Sequence, residues 1–350
     1  KKQKKFGHES LTPFLHIGLT SADADCNAQV LNMKRFEEDV FSVLREELIK
    51  ELEIFAKENS ESIFIAKTHG KRAVPTTMGK EMMNFVKRLK KIDEKITNHE
   101  FEGKITGAVG NFNALCIAKP EKDWKEFVKE FLESLDLTPN MYTTQILPYD
   151  NIIEYLNLVS QFNSVLIDLS RDCWSYISWG CLTLKVVKEE VGSSTMPHKV
   201  NPISFEGGEA NLLLSSNNIS LFNREQSSNR MQRDVIDKYV AREIGVSLVQ
   251  AYLGYTMMLG GIGLISFNKS TADTELDEHW EVLSEGVQTI LRNEGFEESY
   301  EKMKELTRGK SLTKKEYMEL IDSLDDISDI VREKLKRLTP RKYIGWAKDI

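Results

Sequence analysis

Proline and cysteine are both scarce, with 8 and 4 residues in a chain of 350. Proline usually makes up about 5% of a globular chain. Its scarcity, beside many Leu, Glu and Lys, leans the chain toward helix. The cysteines (Cys26, Cys116, Cys173, Cys181) lie far apart. No pair has zinc-site spacing and no disulfide framework emerges, so reduced thiols in a cytoplasmic protein are expected. An excess of positive charge is also missing. Lys and Arg number 47 against 54 Asp and Glu, a formal net charge of −7. That excludes a general nucleic-acid binder. No signal-peptide pattern, no fixed-period repeat and no apolar–polar alternation strong enough for a sheet is found. The first residue is Lys1 and not Met, and the Lys1–Lys5 run reads as the solvated end of a cut chain.

Hydrophobic residues at 41% and charged residues at 29% describe a soluble globular chain. Its length suggests about two domains. The dominant period is helical. Long helices are expected over Gln29–Asn59, Thr77–Phe101, Asn151–Leu184, Pro202–Glu225 and Ile244–Phe267. The last of these carries no charge and is long enough to span a bilayer. With nothing else membranous in the chain, it reads as the central rod of a large bundle. After Asn268 the composition turns to short charged helices, about Glu281–Asn293, Tyr300–Leu306, Lys314–Leu324 and Ile327–Leu335. The expected fold is all-α: a long-helix bundle over residues 1–267 and a small helical C-terminal domain over 268–350. Helices this long and apolar bury poorly within one chain, so a homo-oligomer sharing a bundle is expected.

Five loops look like chemistry. The strongest is Gly192-Ser193-Ser194-Thr195-Met196-Pro197-His198-Lys199-Val200-Asn201-Pro202. A Gly followed by small hydroxyl residues can turn several N–H groups toward one point, an anion nest. Lys199 adds a full charge, Asn201 an amide, and Pro202 suits the start of the next helix. Lys67-Thr68-His69-Gly70 presents a histidine, the usual acid or base near neutral pH. Taken alone, His69 is equally a structural residue. Leu19-Thr20-Ser21-Ala22-Asp23 alone favours a helix cap, and Tyr142-Thr143-Thr144-Gln145 alone favours a polar turn. Arg230 and Arg233, and Lys238 and Arg242, have spacings that would share faces on a helix. Such faces are usually solvated. Close before an uncharged rod, they fit a bound phosphate better.

Together these stretches resemble the fumarase/aspartase superfamily, whose signature loop matches Gly192 to Pro202. More narrowly, the chain resembles the bacterial adenylosuccinate lyase family. Ala66–Gly70, Pro75–Glu81, Gly107–Ala114, Tyr142–Ile146, Gln232–Asp234, Glu305–Lys310 and Tyr343–Gly345 carry that narrower match. The resemblance implies β-elimination of fumarate from adenylosuccinate, giving AMP, and from the succinylated aminoimidazole carboxamide ribotide of purine synthesis. It implies no metal and no cofactor. It places Ser193 as general base and His69 as general acid. Lys199, Asn201, Thr20 and Ser21 would hold the fumaryl carboxylates, and Gln145 would orient the substrate. Arg233 and Arg242 would bind the nucleotide, and Glu206 would orient His69 from behind.

The resemblance further implies a homotetramer in which each site draws on three subunits. Thr20, Ser21, His69 and Ser193 would then meet only across subunits. Two departures stand out. Lys238 occupies a phosphate contact where the family usually has a small hydroxyl residue, so altered affinity is expected. The family's N-terminal segment, with an Arg-Tyr nucleotide contact and a His-Asp motif, does not precede Thr20 here. The neighbouring readings are a sister lyase (argininosuccinate lyase, fumarase or aspartase) and a noncatalytic structural homologue.

Overall fold

The computed structural model describes residues 9–186, 196, 198–296, 299–325 and 327–350. It is built from helices with three short two-stranded pairings. The first long helix starts earlier than the apolar period suggests. Helix α1 (Ser21–Phe36) begins at an N-cap on Thr20, whose N–H donates to Asp23 Oδ2 at 2.9 Å. Its first turns bury Ala22 and Cys26 together with the polar Asp23 and Asn27, which give little apolar period. A π-turn (Glu37–Phe41) joins it to α2 (Ser42–Glu58). Strands β1 (Ile63–Thr68) and β2 (Lys71–Thr77) form an antiparallel hairpin that leads into α3 (Met78–Thr97).

Then come β3 (Glu102–Gly103), α4 (Asn113–Ala118), α5 (Trp124–Glu133) and β4 (Thr138–Pro139), with β3 and β4 paired in parallel. Helix α6 (Asp150–Ser178) has 29 residues, about 43 Å at 1.5 Å per residue. It stops short of the expected Leu184. Gly180 takes a φ of +75°, and the N–H groups of Gly180 and Cys181 return to the carbonyls of Ile177 and Tyr176. That glycine cap turns the chain out of the helix. Strand β5 (Leu182–Leu184) follows, then α7 (Ile203–Gln226), the short α8 (Ile236–Val240) and α9 (Glu243–Leu264). The end of the expected fifth helix is β6 (Ile265–Phe267), antiparallel to β5. The expectation of no sheet is corrected at these sites: each pairing is too short, or too interrupted by a turn, to show alternation. After β6 come α10 (Lys269–Glu278), α11 (Ser284–Asn293), α12 (Ser299–Thr307), α13 (Lys314–Asp322) and α14 (Asp329–Lys336).

The chain divides into two compact units. The first comprises residues 1–47, 89–167 and 208–256. Its core includes Tyr255 stacked on Phe41 at 4.9 Å between ring centres. The Tyr255 hydroxyl donates to Asn163 Oδ1 at 2.8 Å, and Asn163 Nδ2 donates to Ser215 Oγ at 3.1 Å. Those bonds satisfy the polar atoms that α6, α7 and α9 bury together. Arg45 is fully buried. It grips Glu37 with two bonds of 2.6 and 2.8 Å and donates from Nε to Asp93 at 2.7 Å.

The second unit comprises 48–88, 168–207 and 257–350. Gly261 lets α9 approach α7 closely there, since a Cβ on it would lie 3.0 Å from the Phe205 ring. A separate apolar cluster, among it Trp280, Leu283, Val287, Tyr317, Ile321 and Leu335, closes the C-terminal helices. Among the described residues no helix is long and apolar enough to cross a bilayer. Ile244, Leu248, Ala251, Tyr255, Met258 and Ile262 are buried along one helical stripe of α9, while Val246, Val249 and Leu253 are exposed on another.

Candidate active site

The first unit brings several expected residues into one connected assembly. Asp23, on the first turn of α1, is buried and accepts four bonds. They come from the N–H groups of Thr20 (2.9 Å), Thr106 (3.1 Å) and Gly107 (3.4 Å) and from Lys104 Nζ (2.7 Å). Lys104 is fully buried and also donates to the Gln145 carbonyl at 2.6 Å. The two charges neutralise each other, and neighbouring backbone groups supply the remaining bonds that burial requires. The cap bearing Thr20 and Ser21 is thereby tied to the loop after β3 and to Gln145.

Gln145 is held at every polar atom. Its N–H donates to the Gln232 carbonyl at 3.2 Å, and Nε2 donates to the Ala108 carbonyl at 3.0 Å. Its Oε1 accepts from Arg233 Nη1 at 2.9 Å. Arg233 in turn contacts Asp237 Oδ2 through Nη2 at 3.4 Å. The Arg233 guanidinium therefore has a fixed direction while remaining partly exposed.

The expectation that the basic residues share helical faces is corrected. Residues 227–235 are turns and bends, with Met231 at a φ of +54°. Arg230 pairs with Asp234 at 3.5 Å, with its own side chain largely exposed. Lys238 lies on α8 and Arg242 in the turn before α9. Asn229, Asp234 and the αL residue Met231 favour turns over helix, which overrides the spacing. Arg233, Lys238 and Arg242 nevertheless line one cleft of about 680 Å³. Ala22, Cys26, Met33, Phe36, Leu248 and Tyr149 give it an apolar wall, and Asp25 and Asp237 also reach it. Burial pushes the Tyr149 phenol well above its ordinary pKa. Three cations against two carboxylates on an apolar wall suit an anionic ligand with a flat hydrophobic part.

Among the described residues, the second unit holds His69, Lys199 and Glu206, which are exposed, and Asn201. His69 and Gly70 form the two-residue turn of the β1–β2 hairpin, with φ of +52° and +70°. Two positive φ values are the geometry of a type I′ turn, whose twist suits a hairpin. The turn puts the His69 side chain at an exposed tip. Lys199 is exposed and Asn201 half-buried, just before α7. The Pro202 carbonyl accepts from Phe205 and Glu206 N–H at 3.0 and 3.1 Å, so Pro202 does open the helix. Glu206 Oε1 accepts from Trp174 Nε1 at 3.0 Å. Among the described residues no hydrogen bond joins Glu206 to His69. Ser193 lies outside the described residues, as do its neighbours in the signature loop.

Asp23, Lys104 and Asp237 were not expected from the sequence. The one available signal was a lone Lys in the glycine-rich stretch Gly103–Gly110. Among the described residues no group of three or more His, Cys, Asp or Glu is placed to hold a metal ion.

Comparison with known proteins adds independent findings. A lyase family model matches residues 4–213, and a model of the adenylosuccinate lyase C-terminal region matches 229–344. Adenylosuccinate lyase from Haemophilus influenzae is 41% identical over 340 residues, covering 97% of this chain and 74% of that protein. The Escherichia coli K12 protein of the same name is 40% identical over 338 residues, with the same coverage. Among solved structures, a fumarate lyase from Mesorhizobium sp. BNC1 superposes with a TM-score of 0.80 at 16% identity, covering 99% of this chain and 79% of that one. The 3-carboxy-cis,cis-muconate lactonizing enzyme from Pseudomonas putida gives 0.80 at 18% identity, covering 99% and 78%. At those identities the two structures speak for the fold alone.

Proposed function

This chain belongs to the adenylosuccinate lyase family, and on that premise we propose that it cleaves adenylosuccinate to AMP and fumarate by β-elimination. The succinylated aminoimidazole carboxamide ribotide of purine synthesis is its second substrate. The observation that carries the reading is Arg233, held by Gln145, beside Lys238 and Arg242 on one apolar-walled cleft. That arrangement favours a phosphorylated nucleotide over the small substrates of sister lyases.

In this mechanism Ser193 takes a proton from the carbon next to a carboxylate. The electron pair left behind forms the C=C bond of fumarate. The C–N pair departs on nitrogen, which takes a proton from His69. The dianionic intermediate needs concentrated positive charge, which Lys199 supplies while Asn201, Thr20 and Ser21 bind the carboxylate oxygens. Arg233, Arg242 and Lys238 hold the phosphate end.

The reading includes a cytoplasmic homotetramer whose sites combine residues of several subunits, with Glu206 behind the His69 of another subunit. Two features support it: the exposed apolar stripe Val246, Val249 and Leu253, and the exposed tip position of His69. The division into a long-helix part (1–267) and a C-terminal domain (268–350) belongs to the same proposal and is supported by the separate Trp280–Leu335 cluster.

The test is fumarate release from adenylosuccinate by this chain, beside its Ser193→Ala variant. The variant is expected to lose about 10²–10⁴ in kcat with little change in KM, as for a group acting in proton transfer. Release from argininosuccinate, malate or aspartate instead would assign a sister activity. Nucleotide binding without turnover would assign a noncatalytic homologue.

A further inference from the structure

The His69 hairpin has an electrostatic defect that one distant residue corrects. Lys67 on β1 and Arg72 on β2 are register partners, directly opposite each other one pair behind the turn. Like charges in that position destabilise a two-stranded pairing. Lys71, next to the turn, adds a third cation. The ladder also slips between Ile65 and Lys67, so the tip is not aligned by regular pairing with the hairpin's root.

Glu275 on α10 lies between the two opposed cations. Its Oε1 accepts from Arg72 Nε at 2.7 Å and lies 3.6 Å from Lys67 Nζ. Lys67 also sits over the Trp179 ring at 4.4 Å, which fixes its ammonium from the other side. Lys67 and Glu275 are only 15% and 16% exposed, so solvent screens their contact weakly.

The helix that supplies Glu275 is itself anchored twice. Leu276 packs with Ile65 and Val282 at the root of the hairpin. On α10, Asp273 and Asp277 both bind the Arg341 guanidinium, at 3.1 and 2.5 Å. A rigid post therefore presents one carboxylate to a cation pair two residues from either end of the His69–Gly70 turn.

We propose that Glu275 is a positioning residue: it neutralises the opposed Lys67 and Arg72 and thereby sets the direction in which the hairpin presents His69. The proposal rests on the assignment of His69 as general acid. Misplacing a catalytic group by about 1 Å costs roughly a hundredfold in rate while ground-state binding is little changed. The role is thus separable from substrate binding.

The experiment measures kcat and KM for adenylosuccinate with Glu275→Gln, Glu275→Asp, Glu275→Gln/Arg72→Gln and His69→Asn. Glu275→Gln is expected to lower kcat about ten- to a hundredfold with KM within about twofold. Glu275→Asp keeps the charge and is expected to retain more of kcat. The double variant removes one cation with the anion and is expected to recover at least about threefold over Glu275→Gln, a coupling that simple loss of packing would not produce. Should Glu275→Gln melt the hairpin, the double variant decides, and unrestored kcat in it overturns the proposal. If His69→Asn abolishes turnover while Glu275→Gln leaves kcat unchanged, the proposal fails and the acid assignment stands. If His69→Asn leaves kcat unchanged, the acid assignment fails and takes the proposal with it.

Discussion

The two units treat their site residues in opposite ways. In the first, Thr20, Gln145 and Arg233 are fixed by a chain of bonds that starts at the buried Asp23–Lys104 pair. In the second, His69 stands at a hairpin tip and Lys199 in an exposed segment. Under the proposed function, Thr20, Gln145 and Arg233 recognise the substrate, and they are set in place within one chain because their geometry follows from buried contacts. Under the same reading, His69 and Lys199 wait for another subunit and so protrude, and Glu275 would steady His69 from behind by charge. The difference predicts where substitutions act: on folding in the first unit, on turnover in the second.

The largest effect is expected for Lys104→Met. It leaves Asp23 buried without its cation, an uncompensated charge worth about 3–5 kcal/mol of stability. Urea denaturation would show the loss as a lower midpoint, and Asp23→Asn in the same background is expected to recover part of it. If Lys104→Met instead kept full stability and lost only activity, the contrast between the units would collapse.

Much of this contrast was beyond the sequence. Long helices were legible because Leu, Ile, Val and Phe recur at helical spacing, as over Asn151–Ser178. Their ends were less so. Gly180 stops α6 by adopting a positive φ, and the β5–β6 pairing joins residues 83 apart (Thr183 and Ser266), which no local pattern reports. Among the candidate residues, Thr20, His69, Gln145 and Arg233 stand out in the sequence through their motifs. Asp23 and Lys104 do not, since their meaning lies in a contact 81 positions apart. Glu275 sits in a run of charged residues, and nothing in that run distinguishes the carboxylate that faces the hairpin from Asp273 and Asp277, which face Arg341.

A smaller effect is expected from Gly70→Ala. Nothing lies within 4 Å of the added Cβ, so the cost is that of a positive φ alone, about 1–2 kcal/mol. The strain falls on the turn that carries His69. The thermal midpoint is therefore expected to move by only a few degrees, while kcat falls more than KM changes. A fall in the midpoint as large as that of Lys104→Met would show that the hairpin is part of the folding core and not an appended support.

The smallest effect separates the units by pH. In the first unit the buried charges Asp23, Lys104, Glu37 and Arg45 are paired. In the second, Asp172 on α6 has no ion-pair partner among the described residues, because Arg88 is taken by Asp168 at 2.6 Å. Burial first, then Asp168 and Glu81, push the Asp172 carboxyl up to about 6, against the opposing pull of Arg88. The folded state thus holds a proton more tightly than the unfolded chain does. Stability is favoured while that proton is bound, below pH 4, and declines as pH rises from about 4 to 6. Asp172→Asn removes the ionisation. It is expected to match the parent near pH 4 and to exceed it above pH 6, by about 1 kcal/mol once screening of this half-buried group is allowed for. Thermal melts of both proteins between pH 4 and 8 measure the difference. A constant offset across that range would mean that the amide changes packing, and that the unpaired charge of the second unit costs nothing.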